Sequence, residues 1–187
     1  MVAVVQDPLF RSVRGALTFA YNFSHGTMKA SALAGMMGGA RPKGRGLGGL
    51  DGAAQSGMIK FEVQQLGTVA SNILAARFEV QRLPCACKSE CCNGWRVNPD
   101  WMVAVMNVSS LAHGQVDGLS HNIRVRIAIV KRYFGAKDSL GEIARQCGID
   151  RDTASVHANK ANKWLTEQER MALYAIEDQL KAGGVVE

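Results

Sequence analysis

SLGEIARQCGIDRDTASVHANKANKWL, residues 139–165, predicts two short helices joined by a tight turn, the second of them polar and basic. Ser139 stands three residues before Glu142, which is the spacing of a capping box that starts a helix at Leu140. Gly148 lies where this helix must end, because glycine adopts a positive φ at little cost. The pattern is that of a helix-turn-helix, which places its second helix in the major groove of DNA.

The second helix is predicted to turn a small-residue face inward, formed by Ala154, Ala158 and Ala161 and joined by Trp164 and Leu165. Its other face is polar and basic. Arginine pairs with guanine, asparagine with adenine, and lysine neutralises phosphate. We therefore predict duplex DNA contacts for the residues Arg151, Asp152, Ser155, Asn159, Lys160, Lys163, Arg145 and Lys137. The alternative is an ordinary amphipathic helical hairpin whose charged face is simply solvated.

Charge and composition favour a helical protein with a polyanionic partner. The 187-residue chain has a net charge of +6, and residues 120–165 hold nine Lys or Arg against four acidic residues. Positive charge clustered in this way predicts nucleic-acid binding that weakens steeply with salt. Aromatic residues make up only 6% of the chain, and no strand-like alternation runs for long, so the predicted fold class is mainly α.

The sequence indicates no membrane segment and no export signal. It has no run of about 18 apolar residues, which a membrane span requires. The N-terminus lacks the basic region and apolar core of a secretory signal. We therefore expect a cytoplasmic protein with no membrane partner, whose cysteines are reduced and available for metal.

Four cysteines lie within eight residues, at Cys85, Cys87, Cys91 and Cys92. Zinc prefers four thiolate or imidazole ligands in a tetrahedron, so this Cys-rich loop predicts a structural Zn²⁺ site with these four ligands. Because adjacent cysteines bind one ion only with strain, His113 or His121 is an alternative fourth ligand. Buried free cysteines or disulfides remain the other interpretations. The site looks closed, so catalysis by the metal is not expected.

Residues 38–50, GGARPKGRGLGGL, contain six glycines and one proline and are predicted not to form a helix. They match GxGxxG literally, but no βαβ unit surrounds them, and dinucleotide binding is therefore rejected. Two interpretations stay open. The segment is either a flexible linker or a basic loop in which Arg41, Lys43 and Arg45 contact nucleic acid or a protein partner.

Helical spacing predicts further helices over residues 8–22, 27–37, from Asp51, 68–80, from Asn98-Pro99, 122–134 and 167–181. The helix after Asp51 is expected to bury Ala54, Met58 and Phe61. The helix over 122–134 is expected to bury Ile123, Ile127, Val130 and Phe134. The predicted organisation is an N-terminal helical region (1–83) with the Gly-rich basic loop, a Cys-rich loop (84–97), a helical DNA-binding region (98–165), and a C-terminal helix and tail (166–187).

Four segments together resemble the phage and prophage antitermination proteins of the Q type. They are ALTFAYNFS (16–24), GLGGLDGAAQSGMI (46–59), PCACKSECCNGWRVNP (84–99) and the helix pair at 139–165. The resemblance covers most of residues 15–165. It implies a transcription antitermination factor that binds DNA near a promoter, joins paused RNA polymerase and narrows the RNA exit channel so that terminator hairpins cannot form.

By this resemblance the partners are duplex DNA, RNA polymerase and nascent RNA, in the nucleoid of a bacterial host. Arg151, Asp152, Ser155 and Asn159 occupy the matched recognition positions. No catalysis is implied, and no catalytic triad, acid pair or phosphate loop is present in the sequence, so we expect a protein that is not an enzyme. The alternatives are a conventional activator or repressor acting at initiation, a sigma-like factor, and a zinc-stabilised interaction module.

Overall fold

A computed structural model of the chain describes residues 8–23, 25, 49–87, 89 and 92–187. Within these residues the fold is mainly helical, as predicted, and includes one small antiparallel sheet. The elements are α1 (Val13–Phe23), α2 (Gly49–Gln65), α3 (Thr68–Phe78), β1 (Arg82–Pro84), β2 (Trp95–Val97), α4 (Pro99–Gln115), α5 (Ile123–Tyr133), α6 (Leu140–Cys147) and α7 (Arg151–Ala182). The helix predicted over 27–37 and the basic residues Arg41, Lys43 and Arg45 lie outside the described residues.

The longest element, α7, is continuous over 32 residues. It extends about 48 Å at 1.5 Å per residue. The sequence predicts a boundary near residue 166 and a separate helix over 167–181. The structure has no break at this point, because α7 continues through it. No glycine or proline interrupts this stretch, and Leu165, Glu169, Ala172 and Ile176 continue one buried stripe. The same helix therefore contributes to both hydrophobic clusters of the protein.

The first cluster joins α1, α2, α3 and the C-terminal part of α7. Phe10 is fully buried, and its backbone pairs with the C-terminal tail through N–H to Val185 O (3.0 Å) and Glu187 N–H to Phe10 O (3.2 Å). This bridge explains why α1 begins at Val13, later than the predicted start at residue 8. Before the helix begins, Phe10 forms an isolated parallel bridge with Val186 of the tail.

The predicted buried face of α2 is wrong: Ala54, Met58 and Phe61 are exposed, and the buried positions lie two residues earlier, at Gly52, Ser56 and Ile59. Met58 and Phe61 are 55% and 57% exposed, whereas Ile59 and Val63 are each 1% exposed. Ser56 lies on the same inward face and donates its hydroxyl to Ala20 O at 2.8 Å. The inward face of α2 thus carries β-branched side chains and a short hydroxyl. The helix also begins at Gly49, so Asp51 lies in its first turn and is not the cap.

The second cluster joins α3, α4, α5, α6 and the N-terminal half of α7. Asn98 caps α4 as predicted, because its side chain accepts from Asp100 N–H at 3.0 Å. Trp101 is 3% exposed and donates its indole N–H to Ala76 O at 3.1 Å, which ties α4 to α3. Trp101, Val105 and Val108 lie on the buried face of α4.

The inward face of α5 was only partly predicted. Val130 and Phe134 are buried as expected, but Ile123 is 49% exposed at the first position of the helix. Val125 and Ile129 are buried. The helix is packed against α4, α6 and α7, so its buried surface is wider than a single stripe.

A buried polar cluster ties α3 and α5 to α7. Arg77 donates Nε–H to Glu169 Oε1 at 2.8 Å and Nη2–H to Oε2 at 2.5 Å, and Tyr133 donates its hydroxyl to the same Oε2 at 2.9 Å. The Arg77 guanidinium also lies 5.1 Å and 5.0 Å from the ring centroids of Tyr133 and Phe134. Burial raises the pKa of Tyr133, and the Glu169 carboxylate adds to that shift. Every oxygen of this buried carboxylate therefore has a donor.

Candidate nucleic-acid interface and metal centre

The turn between α6 and α7 has the local geometry that the sequence predicts. Ser139 N–H donates to Glu142 Oε2 at 2.7 Å, and Glu142 N–H donates to Ser139 Oγ at 3.2 Å, which completes a capping box at the start of α6. The hydrogen bond from the Ser139 backbone N–H to the carboxylate, followed by one from the Ser139 side chain, lowers the pKa of Glu142. Gly148 ends α6 in the left-handed region with φ of 67°, and Ile149 N–H donates to Ala144 O at 3.0 Å. Asp150 occupies the N-cap position of α7 without a side-chain capping bond.

The two sides of the N-terminal half of α7 are well separated. Ala154, Ala158, Ala161 and Leu165 are all at most 2% exposed and face α5 and α6, and Trp164 is half-buried beside them. On the other side, the predicted DNA-contact residues Arg151, Asp152, Asn159 and Lys163 are exposed, and Ser155 is half-buried. The polar side is therefore open to a partner along at least three helical turns.

Lys160 has a structural partner that the sequence did not indicate. Its ammonium lies 3.2 Å from Asp117 O and 3.4 Å from Gly118 O, in the loop between α4 and α5. Lys160 is thus tied to this loop, which makes it a weaker candidate for a phosphate contact than Lys163. The other two predicted contact residues, Arg145 on α6 and Lys137 before it, are exposed.

The Cys-rich loop connects the two strands of a β-hairpin. This hairpin is not predicted from the sequence. β1 and β2 pair with Arg82 opposite Val97 and Pro84 opposite Trp95, and Cys85 N–H donates to Gly94 O at 2.8 Å just beyond the last pair. Gly94 has a φ of 81°, a conformation that favours glycine. The two ends of the cysteine segment are therefore held side by side. Three-residue strands carry too little alternation to be recognised in the sequence alone.

Three thiols converge in this loop and could hold a metal ion. The sulfur atoms of Cys85, Cys87 and Cys92 lie within 4.8 Å of one another. Sulfur atoms around a tetrahedral zinc ion lie about 3.8 Å apart, given Zn–S near about 2.3 Å, so a small contraction would close the set around one ion. Cys91 lies outside the described residues. Neither His113 nor His121 belongs to the group among the residues described, and their rings instead stack edge to face at 5.0 Å.

The pKa values of the Cys87 and Cys92 thiols are shifted in opposite directions. A hydrogen bond from the Ser89 backbone, followed by contacts with the Cys92 and Cys85 thiols, lowers the pKa of Cys87. The Cys87 thiol in turn raises the pKa of Cys92. Cys87 therefore becomes a thiolate, which is the form that binds metal, at a lower pH than Cys92 does.

His25 Nε2 lies 2.5 Å from Glu79 Oε1. Glu79 is 8% exposed and also accepts from Asn98 Nδ2 at 3.2 Å. Asn98 reaches Val80 O at 2.7 Å as well. These hydrogen bonds connect the residues on the two sides of the hairpin, Glu79–Val80 and Asn98, to each other and to His25. The cysteine loop therefore extends from a hydrogen-bonded base.

No described helix combines the length and the apolar character that crossing a membrane requires. Comparison with protein-family models, curated proteins and solved structures finds no significant match to this chain.

Proposed function

We propose that this protein is a DNA-binding transcription regulator in which α6 and α7 form a helix-turn-helix. The observation that carries the proposal is the two-sided N-terminal half of α7. Its alanine side is packed inside the protein, while Arg151, Asn159 and Lys163 are exposed on the other side. In a helix-turn-helix the N-terminal residues of the second helix contact base edges in the major groove.

The charges of this region support a polyanionic partner. Among the described residues, no ion pair within 4.0 Å involves Arg145, Arg151 or Lys163. Their positive charge is therefore available to phosphates, and binding would release counterions. The left-handed Gly148 makes the tight turn between α6 and α7 that a helix-turn-helix requires.

We expect Arg151→Ala to relax the DNA sequence preference. A bidentate arginine–guanine contact contributes about 1–3 kcal/mol of discrimination, so the ratio of specific to random duplex affinity should fall by about tenfold or more. Lys163→Ala is the matched control, because loss of a phosphate contact should weaken all duplexes alike and reduce the salt slope by about one unit. The measurement is fluorescence anisotropy with a selected duplex and a random duplex. Equal losses on both duplexes for Arg151→Ala would place this residue on the backbone.

The resemblance to Q-type proteins extends the proposal to antitermination. In this proposal the protein loads onto paused RNA polymerase near a promoter and suppresses termination at the RNA exit channel, without catalysing a reaction. In vitro transcription through an intrinsic terminator tests it, with templates that contain or lack the upstream element. Read-through that depends on the element and persists downstream supports antitermination. A change in initiation alone rejects it.

The alternative is a conventional activator or repressor that acts at initiation as a dimer. The C-terminal half of α7 favours it, because Met171 and Tyr174 are 52% and 64% exposed there and offer an apolar surface for a second copy. A dimer would protect two half-sites about one helical turn of DNA apart, whereas the proposed antiterminator needs no such symmetry. A footprint on the selected site separates the two.

We propose that the metal held by the cysteine hairpin is a structural Zn²⁺, with Cys91 as the fourth ligand. The purified protein should then contain about one zinc per chain, and Cys85→Ser should lose it. Cys147→Ser is the control, because Cys147 packs against the second hydrophobic cluster and is not a member of the thiol group. Metal analysis and thiol titration provide the measurement. Full-length protein with no metal and all four loop thiols reactive would contradict the assignment.

A further inference from the structure

A cleft of about 390 Å³ lies between the β-hairpin and the end of α5. One wall is formed by the hairpin and the residues before it, and the other by the end of α5 and the loop that leads to α6. Gln81, Arg82 and Val97 line the first wall, and Lys131, Lys137 and Asp138 line the second. The two walls are fastened to each other, because Gln81 donates its amide N–H to Phe134 O at 2.7 Å. The cleft is thus a built feature of the fold.

The cleft is positively charged. Arg82, Lys131 and Lys137 line it against a single carboxylate, that of Asp138. None of these four side chains takes part in an ion pair within 4.0 Å in the part of the chain that the structure describes. Three cations without partners around one concave surface attract an anionic chain, because clefts lined by one sign of charge concentrate the opposite charge.

An exposed indole adjoins the cleft. The pairs Arg82–Val97 and Pro84–Trp95 are two positions apart in the hairpin, so their side chains project from the same face, about 7 Å apart along the strand. Trp95 is 55% exposed, and no ring or cation contact to it exists among the described residues. A large flat apolar surface is therefore presented to solvent beside Arg82 and the cleft that Arg82 lines.

We propose that this cleft is a second nucleic-acid site, one that binds a single strand. Unpaired bases stack on aromatic side chains, and basic grooves follow the backbone phosphates; Trp95 supplies the first of these features and Arg82, Lys131 and Lys137 supply the second. A duplex does not offer its base faces to an indole, because they are already stacked inside the helix. The site is separate from the exposed side of α7 and goes beyond the proposed duplex binding, and it reassigns Lys137 from the duplex contacts to the single strand.

The test is fluorescence anisotropy of a labelled twelve-nucleotide oligouridylate, with oligothymidylate in parallel, titrated with zinc-loaded full-length protein at several salt concentrations. Trp95→Ala should weaken binding to the single strand by about tenfold or more, the range of one lost stacking contact. Trp95→Phe should retain most of the affinity, because a phenyl ring still stacks. Arg82→Ala should weaken binding and reduce the salt slope by about 0.7, the value for one phosphate contact on a single strand. Equal affinity for uridylate and thymidylate is expected for a site that reads no 2′-hydroxyl.

Two control variants remove the same kinds of side chain, an aromatic ring and a cation, from other parts of the protein. Tyr174→Ala removes an exposed aromatic ring from α7, and Arg14→Ala removes an exposed cation from α1; both should bind the single strand like the wild type. Circular dichroism and zinc content check that each variant is folded. Wild-type protein that does not bind the single strand at low salt would overturn the proposal, and so would a folded Trp95→Ala variant with unchanged affinity.

The two proposed nucleic-acid sites can be disproved independently of each other. Arg151→Ala should retain single-strand binding, and Trp95→Ala should retain duplex binding. A wild-type protein that binds the oligouridylate but no duplex would remove the proposed function and leave the cleft assignment intact. If instead Arg151→Ala and Trp95→Ala each abolished binding to both ligands, the cleft would not be a separate site, and the proposal would be rejected.

Discussion

Glu169→Ala is expected to lower the free energy of unfolding by about 3 kcal/mol, as is typical when one partner of a buried ion pair is removed. The Glu169 side chain is 10% exposed and accepts two hydrogen bonds from Arg77 and one from Tyr133. Without it, the Arg77 guanidinium would stay largely buried with no carboxylate to pair it. Because the cluster joins α3 and α5 to α7, its loss should also weaken the packing between these helices.

Glu167→Ala is the matched control on the same helix, two residues away. Glu167 pairs with Arg170 at 2.7 Å, but both side chains are more than half exposed, and such pairs contribute little because water competes for them. We expect no measurable change in the midpoint of urea unfolding for this variant. If Glu167→Ala destabilised the protein as much as Glu169→Ala, burial of the Arg77–Glu169 pair would not be the reason for the effect.

Ile59→Ala is expected to cost about 2–5 kcal/mol, because it leaves a cavity in the first hydrophobic cluster, where Ile59 is 1% exposed. Met58→Ala, at the neighbouring position, should change stability by no more than about 0.5 kcal/mol, because Met58 is 55% exposed. Both variants stay within a helix and end at alanine, the best helix former, so helix propensity does not account for the difference.

The measurement is urea unfolding followed by circular dichroism, with the unfolding slopes compared between the two variants. The spacing of Ala54, Met58 and Phe61 in the sequence predicts the opposite order. A larger loss for Met58→Ala than for Ile59→Ala would therefore show that the inward face of α2 is the one predicted from the sequence, and not the one that the structure has.

Local interactions were predicted well from the sequence. The Ser139–Glu142 capping box, the left-handed Gly148 and the Asn98 cap each depend on residues within about four positions of one another, so the relevant atoms are brought together by the backbone alone. The alanine face of α7 was also predicted, because small residues at helical spacing beside large polar ones leave little choice of the inward side.

The prediction for α2 failed for a physical reason. Its helix has apolar residues on more than one face, including Met58, Ile59, Phe61 and Val63, so periodicity alone does not select the buried one. The choice is made by α1, against which α2 packs. Ser56 reaches the Ala20 carbonyl only when Ile59 and Val63 face inward.

The sequence by itself determined the helical class of the fold, the caps and the turn around α6, and the cluster of cysteines, because propensity, capping and ligand chemistry act over a few residues. Only the tertiary structure decided that α7 is one continuous helix, that the cysteine segment is the tip of a hairpin, and that Arg77 and Tyr133 meet Glu169. Arg77 and Glu169 are 92 positions apart, so no local pattern indicates their contact, which exists only where the helices pack together.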